Sequence, residues 1–95
     1  MESIRFEWDP HKALINIEKH GVSFEEASTV FYDPYSLIIA DPDHSNDEER
    51  FIILGLSESL NLLVVCHCYR ESDEVIRIIS ARRATERERK NYEEQ

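Results

Sequence analysis

Six basic side chains lie close together in residues 75–90, a segment that reads VIRIISARRATERERK. They are Arg77, Arg82, Arg83, Arg87, Arg89 and Lys90. Only Glu86 and Glu88 oppose them, so the segment has a local charge of +4 (six minus two) in a chain whose net charge is −9. Because a guanidinium binds phosphate oxygens through two hydrogen bonds, the segment indicates a phosphate site or a basic surface for an acidic protein.

The first half of this segment alternates as a β-strand does. Period two places Ser80 on the face of Ile78 and Arg77 on the opposite face. A rigid strand would then aim Arg77 at a phosphate; alternatively, Arg77 would extend to water at a sheet edge or pair with a carboxylate. Arg82 and Arg83 follow where the strand meets a helix. Since neighbouring residues point apart, at most one of the two shares a site with Arg77.

Two further residues near this segment could take part in chemistry. His67 lies in the predicted strand LLVVCHCY, where it is either a packed residue or a general acid or base near neutral pH. Tyr92 could stack on a base or hold a phosphate, or it could anchor the last helix to the core. The last helix itself could be a solvated face with local pairs such as Glu86–Lys90.

Composition and charge limit the class of protein. Ninety-five residues that are 41% hydrophobic suit one folded domain, residues 1–95. Residues 1–49 hold three basic and twelve acidic residues, whereas residues 50–95 hold eight of each. A negative field repels phosphate, so broad nonspecific coating of nucleic acid is not expected. The longest apolar run is Leu62 to Cys66, and no signal-peptide pattern opens the chain, so no membrane contact and a cytoplasmic location are expected.

Metal and cofactor motifs are weak in this sequence. Cys66 and Cys68 lie two residues apart in an apolar stretch, which predicts reduced, packed thiols. The loop DPDHSNDEE, residues 41–49, is rich in carboxylates but lacks the spacing of a calcium loop. No nucleotide, dinucleotide or zinc motif occurs. We predict neither a metal nor a cofactor.

Helix signals come early in the chain. Asp9 can cap a helix whose first position is Pro10, and Gly21 can end it in a left-handed turn. Ser23 with Glu26 predicts a capping box for a second helix. On the first helix, the spacing of apolar residues predicts a core-facing stripe formed by Ala13, Leu14, Ile17 and His20.

The rest of the chain is rich in strands. A short strand, SIRFEW, precedes the helices, and four more follow them: YSLIIA, RFIILGL, LLVVCHCY and VIRIISA. Short turns between neighbours favour antiparallel pairing. Thr85 with Glu88 predicts a capping box for a closing helix. The order β-α-α-β-β-β-β-α predicts the α+β class, a small antiparallel sheet with helices packed on one side.

Three segments resemble a known family over nearly the whole chain, in order and with similar spacing. They are FEWDPHKALINIEKHGVSFEEASTVFYDP, DPDHSNDEERFIILG and RIISARRATERERKNYEE. The sequence resembles the BrnT family of bacterial type II toxins, which is similar in fold to RelE-type toxins. The resemblance implies a metal-independent ribonuclease that blocks translation by cutting RNA. It carries the family motif to Arg77, Ser80, Arg82, Arg83, Glu86 and Tyr92.

The resemblance also implies partners. A BrnA-like antitoxin would bind the toxin in a heterotetramer of two toxins and two antitoxins. Its ribbon-helix-helix portion would bind the promoter of the operon, so operator DNA would be contacted only through the antitoxin. Arg50, Arg70 and Arg87 are predicted to contact the RNA substrate.

RNA carries its own nucleophile, the 2′-hydroxyl, so such an enzyme must align the chain, remove a proton and stabilise charge on the phosphorane. The expected reaction is transesterification to a 2′,3′-cyclic phosphate. Arg77 and one of Arg82 and Arg83 would grip the phosphate, and His67 or Glu86 would be the base. Two alternatives stay open: a non-catalytic module that docks an antitoxin in promoter autorepression, and a metal nuclease built on the loop of residues 41–49.

Overall fold

The structure is a computed structural model that describes residues 4–40 and 49–95. Its described part contains five strands and three helices: β1 (Arg5–Glu7), α1 (Pro10–His20), α2 (Phe24–Thr29), β2 (Leu37–Ala40), β3 (Phe51–Leu56), β4 (Leu62–Arg70), β5 (Val75–Arg83) and α3 (Glu86–Glu93). A short 3-10 turn, Val30–Tyr32, follows α2. This order is the predicted one, and the α+β class is confirmed.

The five strands form one mixed sheet in the order β1-β5-β4-β3-β2. Strands β2 to β5 pair antiparallel, as their short connections predict. The short β1 instead pairs in parallel with the start of β5, through Arg5↔Val75 and Glu7↔Arg77. Strands β1 and β2 form the two edges of the sheet. The helices α1 and α2 lie between these strands in sequence and connect the two edges.

Local capping signals define the ends of the helices. The Asp9 carboxylate accepts from the backbone N–H of His11 at 2.8 Å, and Gly21 ends α1 with a φ of 68°. Thr85 and Glu88 form the predicted capping box of α3. At α2 only half of the predicted box forms, because the Glu26 side chain binds elsewhere while the N–H of Glu26 donates to Ser23.

Apolar side chains lie on both faces of the sheet. On one face, Ile53, Leu63 and Val65 pack with Phe24 of α2 in the larger core. On the other face, a smaller cluster of Leu54, Leu62 and Val64 packs against Tyr92 of α3 and other apolar neighbours. The closing helix therefore lies opposite α1 and α2, not on the same side as predicted. Successive residues of β3 and β4 are apolar, so both faces need cover.

The predicted buried stripe of α1 is confirmed only at Ala13, which packs against the larger core. Leu14 is 64% exposed and Ile17 is 44% exposed, whereas Asn16 is the buried residue of this helix. The Asn16 amide donates to the Ala81 carbonyl at 2.9 Å and accepts from the Ala81 N–H at 3.1 Å. Strand β1 pairs with β5 only at Val75–Arg77. Further along the same edge, at Ala81, the Asn16 side chain makes the backbone hydrogen bonds that a neighbouring strand would make.

The pairing of β4 with β5 contains an irregularity that changes which side chains share a face. Cys66 pairs with Ser80, but the next pair is His67 with Ile78, so the ladder skips Ile79. Ile78 faces the larger core, and Ser80 lies on the opposite face of the sheet. The predicted strict alternation is therefore wrong beyond this point.

Candidate functional site

A groove opens on the sheet face that also carries α3, beside the last residues of β5. Its volume is about 470 Å³. The polar and ionisable residues of its lining are His20, Arg50, Cys66, Ser80 and Arg82. We call this surface the arginine groove. It brings together Arg50 and Arg82, which the sequence predicts to act on RNA, and Ser80, which belongs to the family motif.

Two other depressions are less suited to phosphate. One, of about 450 Å³, is lined by Glu49, Phe51, Cys68, Tyr69 and Asp73. Another, of about 380 Å³, includes Asp33 and Glu58. Both present carboxylates, which repel a phosphate, whereas the arginine groove presents two guanidinium groups. Charge therefore selects the arginine groove.

Arg82 is held firmly at one side of the groove. Its two terminal nitrogens donate to the two carboxylate oxygens of Glu88, at 2.8 and 2.9 Å. The hydrogen bond from Arg82 lowers the pKa of Glu88 to about 2, although burial opposes this shift. The bond to Glu88 also raises the pKa of Arg82. The guanidinium is thus fixed in position, with its Nε–H outside these two bonds.

His20 is a member of the groove that the sequence interpretation did not predict. It lies in the last turn of α1, four residues after Asn16, so the two side chains share a helix face. Since Asn16 binds Ala81 between Ser80 and Arg82, that face is turned toward the end of β5. The sequence pattern groups His20 with the apolar residues of α1. Its place in the groove follows from the hydrogen bonds of Asn16 to Ala81, which join residues distant in sequence.

His67, predicted as a possible base, lies inside the larger core and is fully buried. Its ring contacts the edge of Phe31 at a centroid distance of 4.8 Å, and its Nδ1 lies 3.2 Å from the Val65 carbonyl. Burial lowers the pKa of His67, while the contact with the Val65 carbonyl acts in the opposite direction. In this conformation His67 cannot touch RNA, and its placement favours the packed alternative.

Arg77 lies outside the arginine groove and pairs with a carboxylate. Its Nη1 donates to Glu7 at 2.7 Å, across the parallel pairing of β1 with β5. Both side chains are partly exposed. This contact is the structural alternative that the sequence left open for Arg77. Its predicted role in gripping phosphate therefore stays a prediction.

Arg83 points away from Arg82, as adjacent strand residues do. Arg82 is opposite Val64 in the sheet and Arg83 is opposite Leu63, so the two lie on different faces. Arg83 donates to the Asn61 amide oxygen at 2.8 Å. Asn61 in turn donates to Glu26 of α2 at 2.7 Å, and this bond is the main reason that the pKa of Glu26 is lowered. Arg83 thus belongs to a network that ties the β3–β4 turn to α2.

Tyr92 packs in the smaller apolar cluster and donates a hydrogen bond to Asp33 at 2.6 Å. Burial and this bond raise the pKa of Tyr92 to about 12. Burial would also raise the pKa of Asp33, but the hydrogen bonds that this carboxylate accepts lower it on balance. These contacts support the anchoring alternative for Tyr92. The remaining predicted residues, Glu86, Arg87 and Arg70, are exposed and lie outside the lining of the groove.

Three predictions concern the cysteines, a metal site and the membrane, and the described residues provide an observation on each. Cys66 and Cys68 form no disulfide. Residues 41–48 of the carboxylate loop lie outside the described residues; across 4–40 and 49–95 no group of three metal-binding side chains occurs. In the same ranges, no helix is long and apolar enough to cross a membrane.

Fold and groove together define a small α+β protein with an arginine-bearing surface suited to a phosphate-bearing ligand. Residues 8–88 match the sequence model of a family described as the ribonuclease toxin BrnT of type II toxin-antitoxin systems, and the chain belongs to this family. No curated protein sequence matches the chain.

A solved structure supports the fold independently. The chain is similar to the crystal structure of the ribonuclease toxin BrnT from Brucella abortus, with a TM-score of 0.64 and 22% sequence identity. The similarity covers 88% of this chain and 100% of that one. At this identity it supports the fold alone, so the roles of individual residues depend on the geometry of this chain.

Proposed function

We propose that this toxin cleaves RNA in the arginine groove without a metal ion, and that the cleavage inhibits translation. The observation that carries the proposal is the convergence of Arg50, Ser80 and Arg82 on one groove of a chain whose net charge is −9. The groove thereby places two guanidinium groups on one surface of an acidic chain. The 2′-hydroxyl of the RNA attacks the adjacent phosphorus, and the products are a 2′,3′-cyclic phosphate and a 5′-hydroxyl.

The groove residues supply the electrostatic part of this reaction. The pair with Glu88 holds Arg82 in place before RNA arrives, so little reorganisation is needed when charge develops on the phosphorane. Arg50 adds a second guanidinium to the same lining, and the Ser80 hydroxyl can donate to a phosphate oxygen. Arginines do this without changing protonation, which suits chemistry that uses the nucleophile of the RNA itself.

Cleavage by antitoxin-free protein in EDTA tests the proposal. Arg50→Ala and Ser80→Ala should each lower the cleavage rate, by roughly 10- to 1000-fold for a lost transition-state contact. Arg82→Lys keeps the positive charge but loses the planar guanidinium that can bind two oxygens at once, so this variant should lose activity as well. Arg5→Ala is the control, because it removes one exposed positive charge on β1, away from the groove.

Different outcomes separate the alternatives. Loss of cleavage in EDTA, restored by a divalent metal, would support a metal nuclease. Equal activity in the groove variants and in Arg5→Ala would remove the groove from the mechanism. Folded protein that never cleaves RNA at any concentration would overturn the ribonuclease proposal for this chain.

We also propose a BrnA-like antitoxin as the partner, in a heterotetramer of two toxins and two antitoxins. Membership of a type II family supports an antitoxin. Operator DNA would be bound through the antitoxin, and the complex would repress its own promoter. Co-expression with the product of an adjacent reading frame, followed by light scattering, should give the mass of a two-plus-two complex. A stable one-to-one complex would contradict that stoichiometry.

A non-catalytic binding module is the second candidate function. It is favoured by the fact that Arg77 and Arg82 each hydrogen-bond a carboxylate of the same chain, which weakens their attraction for RNA. On this alternative, the remaining basic surface docks an acidic antitoxin. The EDTA assay separates the two, since the module forms the complex but cuts no RNA.

A further inference from the structure

We propose that His20 is the general base of the reaction, taking the proton of the 2′-hydroxyl as that oxygen attacks the phosphate. The inference rests on the proposed ribonuclease function. It starts from the lining of the arginine groove, where the imidazole of His20 joins Arg50, Ser80 and Arg82. Phosphate ligands and a group that can accept a proton therefore meet on one surface. Imidazole is the side chain best suited to proton transfer near neutral pH.

Tertiary contacts fix the end of α1, from which His20 projects into the groove lining. Asn16, one turn earlier on the same helix face, binds both backbone groups of Ala81. The Asn16 amide also donates to the Val22 carbonyl at 2.9 Å, just beyond the end of the helix. Gly21, in the left-handed conformation, ends the helix between them. The backbone that carries His20 is therefore held beside the end of β5.

The other groups that could act as a base are placed less favourably. Among the imidazoles of residues 4–40 and 49–95, His67 is buried in the core and His11 lies at the opposite end of α1. Glu86 is exposed at the start of α3, outside the groove lining. Glu88 is bound to Arg82 with a pKa of about 2, which makes it a weak base.

Among residues 4–40 and 49–95, the charged and ionisable groups that line the groove with His20 come from three elements or their ends. Arg50 precedes β3 and Arg82 belongs to β5, with Glu88 of α3 bound to Arg82; Cys66 of β4 is the other ionisable group. The proton balance of the step involves His20 and one water molecule. As the 2′-oxygen bonds to phosphorus, its proton passes to the imidazole, and the bond from phosphorus to the 5′-oxygen breaks. The 5′-oxygen takes a proton from water, and the imidazolium then returns its proton to the hydroxide that is left.

Single-turnover cleavage of a single-stranded RNA in EDTA tests the role of His20. His20→Gln and His20→Ala should lower the rate at saturating protein by roughly 100-fold or more, the usual effect of removing a general base. RNA affinity should change much less, since the arginines remain. Free imidazole should restore part of the activity of His20→Ala. The wild-type rate should fall at acidic pH, and this fall should disappear in His20→Gln.

His11→Gln is the matched control, because it removes an exposed imidazole from the first turn of the same helix. It should keep the wild-type rate and pH profile. If wild-type protein cleaves RNA and His20→Gln cleaves equally well, the inference about His20 fails while the ribonuclease function stands. If the wild type itself does not cleave, the proposed function fails first. A His20 variant that loses RNA affinity instead of rate would show a binding role and overturn the proposal.

Discussion

Asn16 hydrogen-bonds both the N–H and the carbonyl of Ala81, 65 residues later in the chain, and thereby fastens α1 to the edge of β5. Asn16→Ala should lower the free energy of unfolding by about 2–4 kcal/mol, since it leaves buried backbone groups without partners. Urea denaturation measures the change, with the exposed Asn91→Ala as control. A loss no larger than that of the control would contradict the bonding role of Asn16.

The pair of Arg77 with Glu7 can be separated from a role in catalysis. We expect Arg77→Ala and Glu7→Gln to reduce stability by similar amounts, about 0.2–1 kcal/mol, because the pair is partly exposed. If the pair with Glu7 is the whole role of Arg77, both variants should keep most of the cleavage activity, since Arg77 lies outside the arginine groove. If Arg77→Ala instead abolishes cleavage while Glu7→Gln does not, Arg77 contacts the RNA, as the sequence resemblance implies.

Tyr92 is expected to stabilise α3 through its hydroxyl. Tyr92→Phe removes the bond to Asp33 and should lower the free energy of unfolding by about 1.5–3 kcal/mol, as expected for a hydrogen bond to a carboxylate. Tyr32→Phe, in an exposed tyrosine, is the control. Thermal and urea denaturation report stability, and the RNA assay reports activity. A Tyr92→Phe protein with native stability and no cleavage would reverse the assignment.

The features that the sequence predicts correctly depend on neighbours in the chain. Asp9 and Thr85 cap helices through backbone groups two or three residues away, so the sequence is enough to place them. The antiparallel pairing of β2 to β5 follows in the same way from short connections.

The features that the sequence misses depend on distant partners. The alternation of side chains between the two faces of β5 breaks at Ile79. Only the pairing of β5 with β4 determines which residue is skipped. Arg77 meets Glu7 across 70 residues of chain, and Asn16 meets Ala81 across 65. A list of arginines therefore suggests a phosphate site but cannot say which guanidinium faces the groove.

The pair of Glu88 with Arg82 should make stability depend on acidic pH. The pKa of Glu88 is lowered from 4.5 to about 2 in the folded protein. The unfolded chain therefore takes up a proton first as pH falls, so the stabilisation is present above about pH 4.5 and is lost toward pH 2. Urea unfolding across this range should show a weaker pH dependence for Glu88→Gln than for the wild type. Identical slopes would show that the pair contributes nothing.

His67 should make stability depend on pH in a higher range. Its pKa is lowered from 6.5 by burial, so the unfolded chain binds a proton more readily than the folded protein does. The free energy of unfolding that the neutral ring contributes is fully present above about pH 6.5. It is lost as pH falls through the lowered pKa of His67. Among the described residues, its Nε2 has no hydrogen-bond partner, so protonation would bury an uncompensated charge.

His67→Gln should flatten the fall in urea midpoint between about pH 7 and pH 5, whereas the exposed His11→Gln should not. Because His67 lies in the core, His67→Gln should cleave RNA at the wild-type rate when the two are compared at the same pH, wherever the variant stays folded. A folded but inactive His67→Gln protein would restore His67 as the base and contradict the role of His20.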